Sequence, residues 1–103
     1  MPYEVAFSEE AESQLQRLEE YLAERFHPAN AERYVQRLIE ACLSLGAAPH
    51  RGTKREDLAP GIRMTGFERR VTIYFKLLEH QVVILGIAYG GRSFERDQSD
   101  DKV

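Results

Sequence analysis

The sequence predicts an α+β fold of two layers, in which a hairpin of two helices packs on a mainly antiparallel, twisted sheet. The spacing of apolar residues carries this prediction. Between residues 8 and 46 they recur every three or four positions, which is the period of an amphipathic helix. From residue 62 onward they alternate, as in β-strands. The predicted element order is therefore β-α-α-β-β-β.

The first two predicted elements are a short strand and a helix. Tyr3, Val5 and Phe7 alternate with polar or small residues, so one face of the strand is expected to be buried. Ser8 is the predicted N-cap, because a serine oxygen can accept from the free amides of a first helical turn. The apolar stripe of this helix comprises Ala11, Leu15, Leu18, Leu22 and Phe26.

A second helix is predicted to begin at Pro28. Proline breaks a helix interior but suits a first turn, so His27-Pro28 separates the two helices. Gly46 is the predicted C-terminal stop. Two helices joined by so few residues form an antiparallel hairpin. The second apolar stripe comprises Ala31, Val35, Leu38, Ile39, Cys42 and Leu45.

The remaining elements are predicted to be three strands in an antiparallel meander. The strands are expected at 62–65, 71–77 and 82–89, with turns at 66–68 and 79–81. Alternation in the first of them puts Arg63 on its predicted polar face. Residues 82–89 are apolar at both parities, which predicts a central strand covered on both sides for part of its length.

Length and composition predict one domain in a reducing compartment. The chain has 103 residues, and we expect a single domain over 1–95 followed by a polar, flexible tail at 96–103. Cys42 is the single cysteine, so no internal disulfide can form, which favours the cytoplasm. The first residues lack the pattern of a signal peptide, and no apolar run approaches the length of a membrane span.

The net charge of -3 conceals an uneven distribution. Residues 1–50 carry nine acids and four bases, whereas residues 51–76 carry seven bases and three acids. The overall acidity argues against a general nucleic-acid binder and against sequence-specific DNA binding by this chain alone. The basic stretch is either a solvated surface or a surface for an acidic partner, and spacing does not decide between them.

The residues that most often carry catalysis or metal binding are sparse. His27, His50 and His80 are far apart in sequence, so we expect no metal site. Cys42 lies on an apolar helical stripe and is expected in the core rather than as a nucleophile. Gly90-Gly91 lacks the lysine and helix of a phosphate loop, so we expect no nucleotide or other cofactor.

Arginines therefore form the candidate site. If their strands were sheet neighbours, Arg63 and Arg92 would converge on one concave face, where their planar forks suit phosphates and carboxylates. The further basic residues expected there are Lys54, Arg55, Arg70 and Lys76. The alternative, that Arg63 and Arg92 only pair with Glu68 or Glu95, is left open at this stage.

Several short motifs resemble the RelE/ParE superfamily of toxins from bacterial type II toxin–antitoxin modules, and the ParE branch more closely. Together they cover about residues 3–95, and their order and spacing are more specific than any one of them. The motifs are Phe7-Ser8 before Ala11-x-x-x-Leu15-x-x-Leu18, Pro28-x-x-Ala31, Leu45-x-x-x-Pro49-x-x-Gly52, Pro60-Gly61-Ile62-Arg63, Tyr74-Phe75, and Val83-Ile84-Leu85-Gly86-Ile87 leading into Gly90-Gly91-Arg92.

The resemblance implies a small cytoplasmic toxin that arrests growth and is neutralised by a cognate antitoxin wrapping around it. ParE-like members inhibit DNA gyrase and are associated with plasmid stabilisation. RelE-like members are ribosome-dependent mRNA endoribonucleases that use basic residues and a C-terminal Tyr or His. In that second case, Arg63 and Arg92 match catalytic arginines and Lys54 is the candidate for the catalytic lysine.

The sequence departs from the ribonuclease pattern after Arg92. Residues 93–99 contain no Tyr or His that could serve as the general acid or base. This departure and the acidic net charge favour gyrase as the target and a toxin that is not an enzyme. The predicted target-binding residues are then Arg63, Arg70, Arg92 and Phe94, and the antitoxin-binding residues are not predicted. The remaining alternatives are the endoribonuclease and an antitoxin-binding relic without toxicity.

Overall fold

The computed structural model describes residues 2–90 and the short strand at 92–93. It confirms the two-layer α+β fold and the order of the predicted elements, and it adds two strands of two residues each. The elements are β1 (Glu4–Phe7), α1 (Glu9–Arg25), α2 (Pro28–Ser44), β2 (Thr53–Lys54), β3 (Ile62–Phe67), β4 (Val71–Leu78), β5 (Gln81–Tyr89) and β6 (Arg92–Ser93). The predicted tail at 96–103 lies outside the described residues.

The strands form one mixed sheet in the order β1-β5-β4-β3-β2. The meander β3-β4-β5 is antiparallel as predicted, while β1 is parallel to β5. The added strand β2 pairs with β3, and β6 turns back to pair with the end of β5. No helix among the described residues is long and apolar enough to cross a membrane.

Both helices begin where the sequence predicts, α1 at the predicted cap Ser8 and α2 at Pro28, which His27 caps. The hydroxyl of Ser8 accepts from the amide of Ala11 at 3.1 Å, and Nδ1 of His27 accepts from the amide of Ala29 at 3.1 Å. Pro28 occupies the first turn of α2, where its missing N–H has no helical partner to lose. These caps fix the hairpin geometry that the sequence predicts.

The core lies between the helix hairpin and the inner face of β4 and β5. Every predicted stripe residue of α2 apart from the flanking Ile39 is buried, and Cys42 is fully buried, as predicted. Phe26 was predicted to be buried, and this is wrong: α1 ends at Arg25, and Phe26 is 60% exposed in an extended conformation. The largest fully buried side chains are Phe75, Leu18, Leu38, Leu45, Ile73, Ile84 and Ile87.

A bulge in β5 explains why its sequence is apolar at both parities. Phe75 pairs with Ile84 and Tyr74 pairs with Gly86, so Leu85 is the extra residue. Before the bulge Val82 and Ile84 face the core, and after it the parity shifts to Ile87. The apolar residues at both parities of β5 therefore reflect in part a switch, at the bulge, in which alternate residues face the core. They do not all indicate that both faces of the strand are covered.

Polar side chains of the first helix satisfy the backbone at this bulge. Gln14 is only 4% exposed, and its Oε1 accepts from the amide of Ile87 at 2.6 Å. Ser8 donates its hydroxyl to the carbonyl of Leu85 at 3.2 Å. Since unpaired buried backbone groups are costly, these contacts pin the start of α1 to the irregular part of β5.

The end of α2 packs closely on β1. The amide of Tyr3 donates to the carbonyl of Gly46 at 2.7 Å. A Cβ at Gly46 would stand 2.4 Å from the carbonyl oxygen of Tyr3 and 3.1 Å from a methyl of Val5. Glycine at this position is therefore needed for close approach of backbone to backbone.

The face assignment of β3 and the position of its turn differ from the prediction. Arg63 is opposite the fully buried Phe75, so it lies on the helix-facing side and not on the outer, polar face. The strand continues to Phe67, and the turn is at Glu68 and Arg69, which have φ of 50° and 66°. With Arg70 they form a three-residue connection between β3 and β4, and their left-handed backbone lets the chain reverse direction there.

Candidate functional site

The guanidinium of Arg63 is engaged by backbone. Its Nε donates to the carbonyl of Arg51 at 3.3 Å, and its Nη2 donates to the carbonyl of His50. Arg63 therefore ties the 50–51 loop to β3. For Arg63 the alternative pairing with Glu68 is wrong, because Glu68 pairs with Arg37 through two contacts of 3.2 Å. The pairings predicted for Arg92 and Glu95 lie outside the described part of the structure.

The basic residues predicted to converge are divided between separate places. Lys54 lies opposite Arg63, and the guanidinium of Arg55 pairs with Asp57 at 2.7 Å. Lys76 lies opposite Ile62, on the other face of the sheet from Arg63. The expected gathering of all six residues on one concave face is therefore wrong, because it assumed neighbouring strands for Arg63 and Arg92.

The sheet order separates Arg63 from Arg92. Two strands, β4 and β5, lie between β3 and β6. Arg63 is in register with Phe75 and Ile84, whereas Arg92 is in register with Tyr89. Three strand spacings across and four residues along correspond to about 20 Å between the two Cα positions. The predicted site residue Phe94 lies outside the described residues.

Arg70 and Arg92 occupy the same end of the sheet. The amide of Gly90 donates to the carbonyl of Arg70 at 2.5 Å, and the neighbouring Tyr89 is in register with Val71 and with Arg92. The β3–β4 turn and the end of β5 therefore meet beside the tip of the helix hairpin. Of the predicted site residues, the described fold brings together two pairs by backbone position: Arg70 and Arg92 at this end of the sheet, and Lys54 and Arg63 on β2 and β3.

A groove of about 420 Å³ opens at this end, between the hairpin tip and the sheet. We call it the tip groove, and its lining residues are Leu22, Phe26, Asn30, Ala31, Arg33, Tyr34, Arg37, Arg70 and Tyr89. Leu22 and Ala31 are buried and form an apolar floor, while the arginines are exposed at the rim. The lining thus combines apolar area with three positive charges and no carboxylate.

Aromatic contacts fix the walls of the tip groove. Tyr34 packs edge-on against Phe67 with ring centroids 5.6 Å apart, and Tyr21 packs similarly against Tyr89 at 5.9 Å. The guanidinium of Arg25 lies 3.8 Å from the ring centre of Tyr21, which adds a cation–π contact at the same end. The groove is therefore preformed by packing between helices and sheet.

The hydroxyl of Tyr34 is buried and has no hydrogen-bond partner within the described residues. Burial is the main reason that its pKa is raised above the ordinary tyrosine value, and the neighbouring Glu68 carboxylate adds to the shift. Tyr34 is therefore a neutral donor at neutral pH. A buried donor without a partner is costly, and an incoming acceptor would relieve that cost.

Only one of the rim arginines forms an ion pair within the described residues. Arg37 pairs with Glu68, and this carboxylate holds the pKa of the guanidinium above its ordinary value. Arg33 donates to Asn30 at 2.6 Å on its own helix, and neither Arg33 nor Arg70 has a carboxylate partner there. Arginine forks beside aromatic faces suit a ligand that is both anionic and apolar.

The described residues show little of the chemistry that covalent catalysis requires. Desolvation raises the pKa of the Cys42 thiol to about 12, so this side chain is not a nucleophile at neutral pH. Among the described residues, no group of three His, Cys, Asp or Glu side chains is arranged so that it could hold a metal ion. The tip groove presents apolar, aromatic and arginine side chains, which are suited to binding a ligand.

Sequence reasoning identified Arg70 in this region but missed Phe26, Arg33, Tyr34 and Arg37. The one local signal for the missed residues is the spacing of Arg33 and Arg37, which are four residues apart and hence on one face of α2. The rest of the groove depends on the packing of the hairpin tip against the β3–β4 turn. Spacing along the chain does not predict that contact.

Two solved structures have a similar fold. A chain of "Chromosomal ParDE TA system from P. aeruginosa" superposes with a TM-score of 0.75 and 22% identity, over 84% of this chain and 95% of that chain. A chain of the toxin–antitoxin complex RelBE2 from Mycobacterium tuberculosis gives a TM-score of 0.61 and 21% identity, over 86% and 99% of the two chains. At these identities the likeness concerns the fold.

The sequence itself supplies the family. A comparison with curated proteins found no match. By contrast, residues 5–94 match the family described as the ParE toxin of the type II toxin–antitoxin system parDE. Since that match spans most of the chain, this protein belongs to the ParE toxin family, within the RelE/ParE superfamily of type II toxins.

Proposed function

We propose that this toxin inhibits DNA gyrase in the cytoplasm by binding it, and that a cognate antitoxin neutralises the toxin. Membership of the ParE family supports this proposal. The observation that carries it further is the separation of Arg63 from Arg92 in the sheet. The single domain at 1–95 and the polar tail at 96–103 are part of the same proposal.

The arginine geometry supports binding rather than phosphodiester cleavage. A ribonuclease with these two arginines would need both guanidiniums at one phosphate to stabilise its transition state. With their Cα positions about 20 Å apart, the two side chains could meet at one phosphate only if both extended fully toward each other along the sheet, whereas strand side chains stand roughly perpendicular to it. In addition, Arg63 already donates to the carbonyls of the 50–51 loop.

The gyrase-binding residues that we propose lie at the open end of the sheet. Arg70 and Arg92 share that end, and Phe94 follows in sequence. Arg63 enters the proposal as a positioning residue that holds the 50–51 loop. A protein–protein contact built on arginine and an aromatic side chain has the residue types that dominate interface energies.

The antitoxin part of the proposal is supported by the family and by the two similar folds, whose titles describe a ParDE system and a RelBE2 toxin–antitoxin complex. We expect the antitoxin to be encoded by the reading frame adjoining the gene of this protein. Copurification of the two products would support this part of the proposal, and failure to bind would contradict it.

Supercoiling of relaxed plasmid by purified gyrase tests the target. The toxin should abolish supercoiling and accumulate cleaved DNA that gyrase holds, whereas Arg70→Ala should need a higher concentration for the same effect. Lys76→Ala is the matched control, because Lys76 is a basic residue on the other face of the sheet from Arg63 and outside the tip groove. Full supercoiling in a large molar excess of toxin would contradict gyrase as the target.

One observation keeps the endoribonuclease as a second candidate. By their backbone positions, Arg70, Tyr89 and Arg92 lie at one end of the sheet. Primer extension on a translated message distinguishes the two functions. Cuts in register with codons, lost in Tyr89→Phe, would support the ribonuclease, and an uncut message together with gyrase inhibition would exclude it.

A further inference from the structure

We propose that the tip groove is the docking site for an acidic segment of the antitoxin that also carries an apolar anchor residue. This inference rests on the proposed function for the identity of the partner. It goes beyond that function by assigning the partner a place, a chemistry and a set of contact residues. The occupant follows from the shape, the charge and the unsatisfied groups of the groove.

The apolar part of the groove requires an apolar anchor. Phe26 is the most exposed large hydrophobic side chain among the described residues, at 60%, and it stands beside the buried Leu22 and Ala31. An aromatic ring in water next to an apolar floor gains stability when a partner side chain covers both. A groove of about 420 Å³ has room for one or two such side chains.

The rim requires negative charge. Arg33, Arg37 and Arg70 line the groove, and no carboxylate does so. Within the described residues, Arg33 and Arg70 have no ion-pair partner. The same end of the hairpin belongs to the half of the chain with nine acids and four bases, so this concentration of arginines is local. Charge complementarity therefore selects an acidic segment.

An acceptor is also needed within the groove. The buried hydroxyl of Tyr34 has no partner in the described structure. Because this hydroxyl has almost no exposed surface, a carboxylate would reach it only if the wall of the groove moved, and it would then accept from a donor that is already desolvated. An acidic side chain thus answers both the rim charge and the unpaired hydroxyl, whereas a purely apolar peptide answers neither.

This placement has a consequence for neutralisation. Arg70 lines the tip groove and is also a residue that we propose for gyrase binding. A segment bound in the groove would cover Arg70, so antitoxin and gyrase would compete for the same end of the toxin. Neutralisation would then be direct occlusion, without a change in the toxin fold.

Binding of the full-length toxin to the purified product of the adjoining reading frame tests the inference, with Kd measured by calorimetry at low and high salt. We expect Phe26→Ala to weaken binding about 30-fold, as for an aromatic anchor. Arg33→Glu should weaken it about 10-fold or more, most strongly at low salt. Tyr34→Phe should weaken it about 10-fold at both salt concentrations.

Matched controls separate the groove from the rest of the surface. Leu58→Ala removes another exposed apolar side chain, which is 48% exposed and outside the groove. Arg51→Glu reverses an exposed arginine outside it. Both controls should bind within about twofold of the unmodified toxin, since substitutions outside an interface contribute little. Unchanged circular dichroism and a melting temperature no lower than that of the unmodified toxin establish that each variant is folded.

The outcomes distinguish the inference from the function on which it rests. If the unmodified toxin binds and the groove variants bind equally well, the tip groove is not the docking site and the inference is wrong. Equal losses in Arg33→Glu and Arg51→Glu would contradict it too, because binding would then be diffuse attraction. If the unmodified toxin does not bind, the proposed partner is wrong and its placement is wrong with it.

Discussion

The two ends of the helix–sheet interface are packed in opposite ways. Where α1 begins and α2 finishes, Ser8 and Gln14 bond to the bulge of β5, and Gly46 lies against β1. We call this the sealed end. At the other end, the tip groove leaves Phe26 exposed and the hydroxyl of Tyr34 without a partner. One pair of helices thus makes a closed contact and an open one.

This contrast indicates that stability and binding are located at different ends of the molecule. Polar groups at the sealed end are satisfied within the protein, so substitutions there should cost folding free energy. Apart from the buried floor of Leu22 and Ala31, the groups at the tip groove are exposed or unsatisfied, so substitutions of those groups should cost little stability. The following substitutions test this difference, each at one end against a control.

The largest effect is expected for Gly46→Ala at the sealed end. The added Cβ would stand 2.4 Å from the carbonyl oxygen of Tyr3, so backbone must move. We expect a loss of about 3 kcal/mol in the free energy of unfolding, measured by urea denaturation. Gly90→Ala beside the tip groove meets nothing within 4 Å and should lose only about 1 kcal/mol, for its left-handed backbone. Equal losses would contradict the comparison.

Gln14→Leu is expected to have the next largest effect. It leaves the buried amide of Ile87 without the acceptor that Gln14 supplies at 2.6 Å. The free energy of unfolding should fall by about 2 kcal/mol. Gln16→Leu, two residues away on the exposed face of the same helix, should change it by less than about 0.5 kcal/mol. If Gln14→Leu left the free energy of unfolding unchanged, the bulge would not depend on this contact.

Tyr34→Phe should leave the isolated toxin as stable as before, or make it up to about 1 kcal/mol more stable. The substitution removes a buried hydroxyl that has no partner within the described residues and keeps the ring contact with Phe67. Thermal and urea denaturation measure this. A clear loss of stability would mean that the hydroxyl of Tyr34 has a hydrogen-bond partner in the free protein. The contrast between the tip groove and the sealed end would then be wrong at this residue.

The smallest effect is expected from the ion pair between Arg37 and Glu68. Both side chains are about half exposed, at 52% and 45%, so solvent screens their attraction. A double-mutant cycle with Arg37→Ala and Glu68→Ala should give a coupling that disappears as salt is added. A coupling that persists at high salt would indicate that the β3–β4 turn is locked to α2.

The helices and the meander could be predicted because local signals agree there. Ser8, Pro28 and Gly46 mark the helix limits, and the stripes between them have one period. The predicted face of β3 was wrong because Ile62 and Met64 have one parity and Phe67 the other. Pairing with β4 puts Phe67 and the residues of its parity on the core-facing side of β3, and Phe67 packs against the core.

The site was harder to predict because it depends on contacts between distant parts of the chain. Arg63 and Arg92 looked equivalent in sequence, and only the order of the strands separates them. The tip groove joins the hairpin tip, the β3–β4 turn and the end of β5, and its first and last lining residues, Leu22 and Tyr89, are 67 residues apart in sequence. Phe26 continues the apolar stripe in sequence, yet α1 ends at Arg25 and Phe26 follows in an extended conformation.

Hydrogen–deuterium exchange of the toxin, alone and bound to the product of the adjoining reading frame, tests the contrast between the two ends most directly. The contrast predicts that binding slows exchange at the hairpin tip and at the β3–β4 turn. Amides at the sealed end, such as that of Ile87, should already exchange slowly and remain unchanged. Protection gained at the sealed end with none at the tip groove would contradict the account.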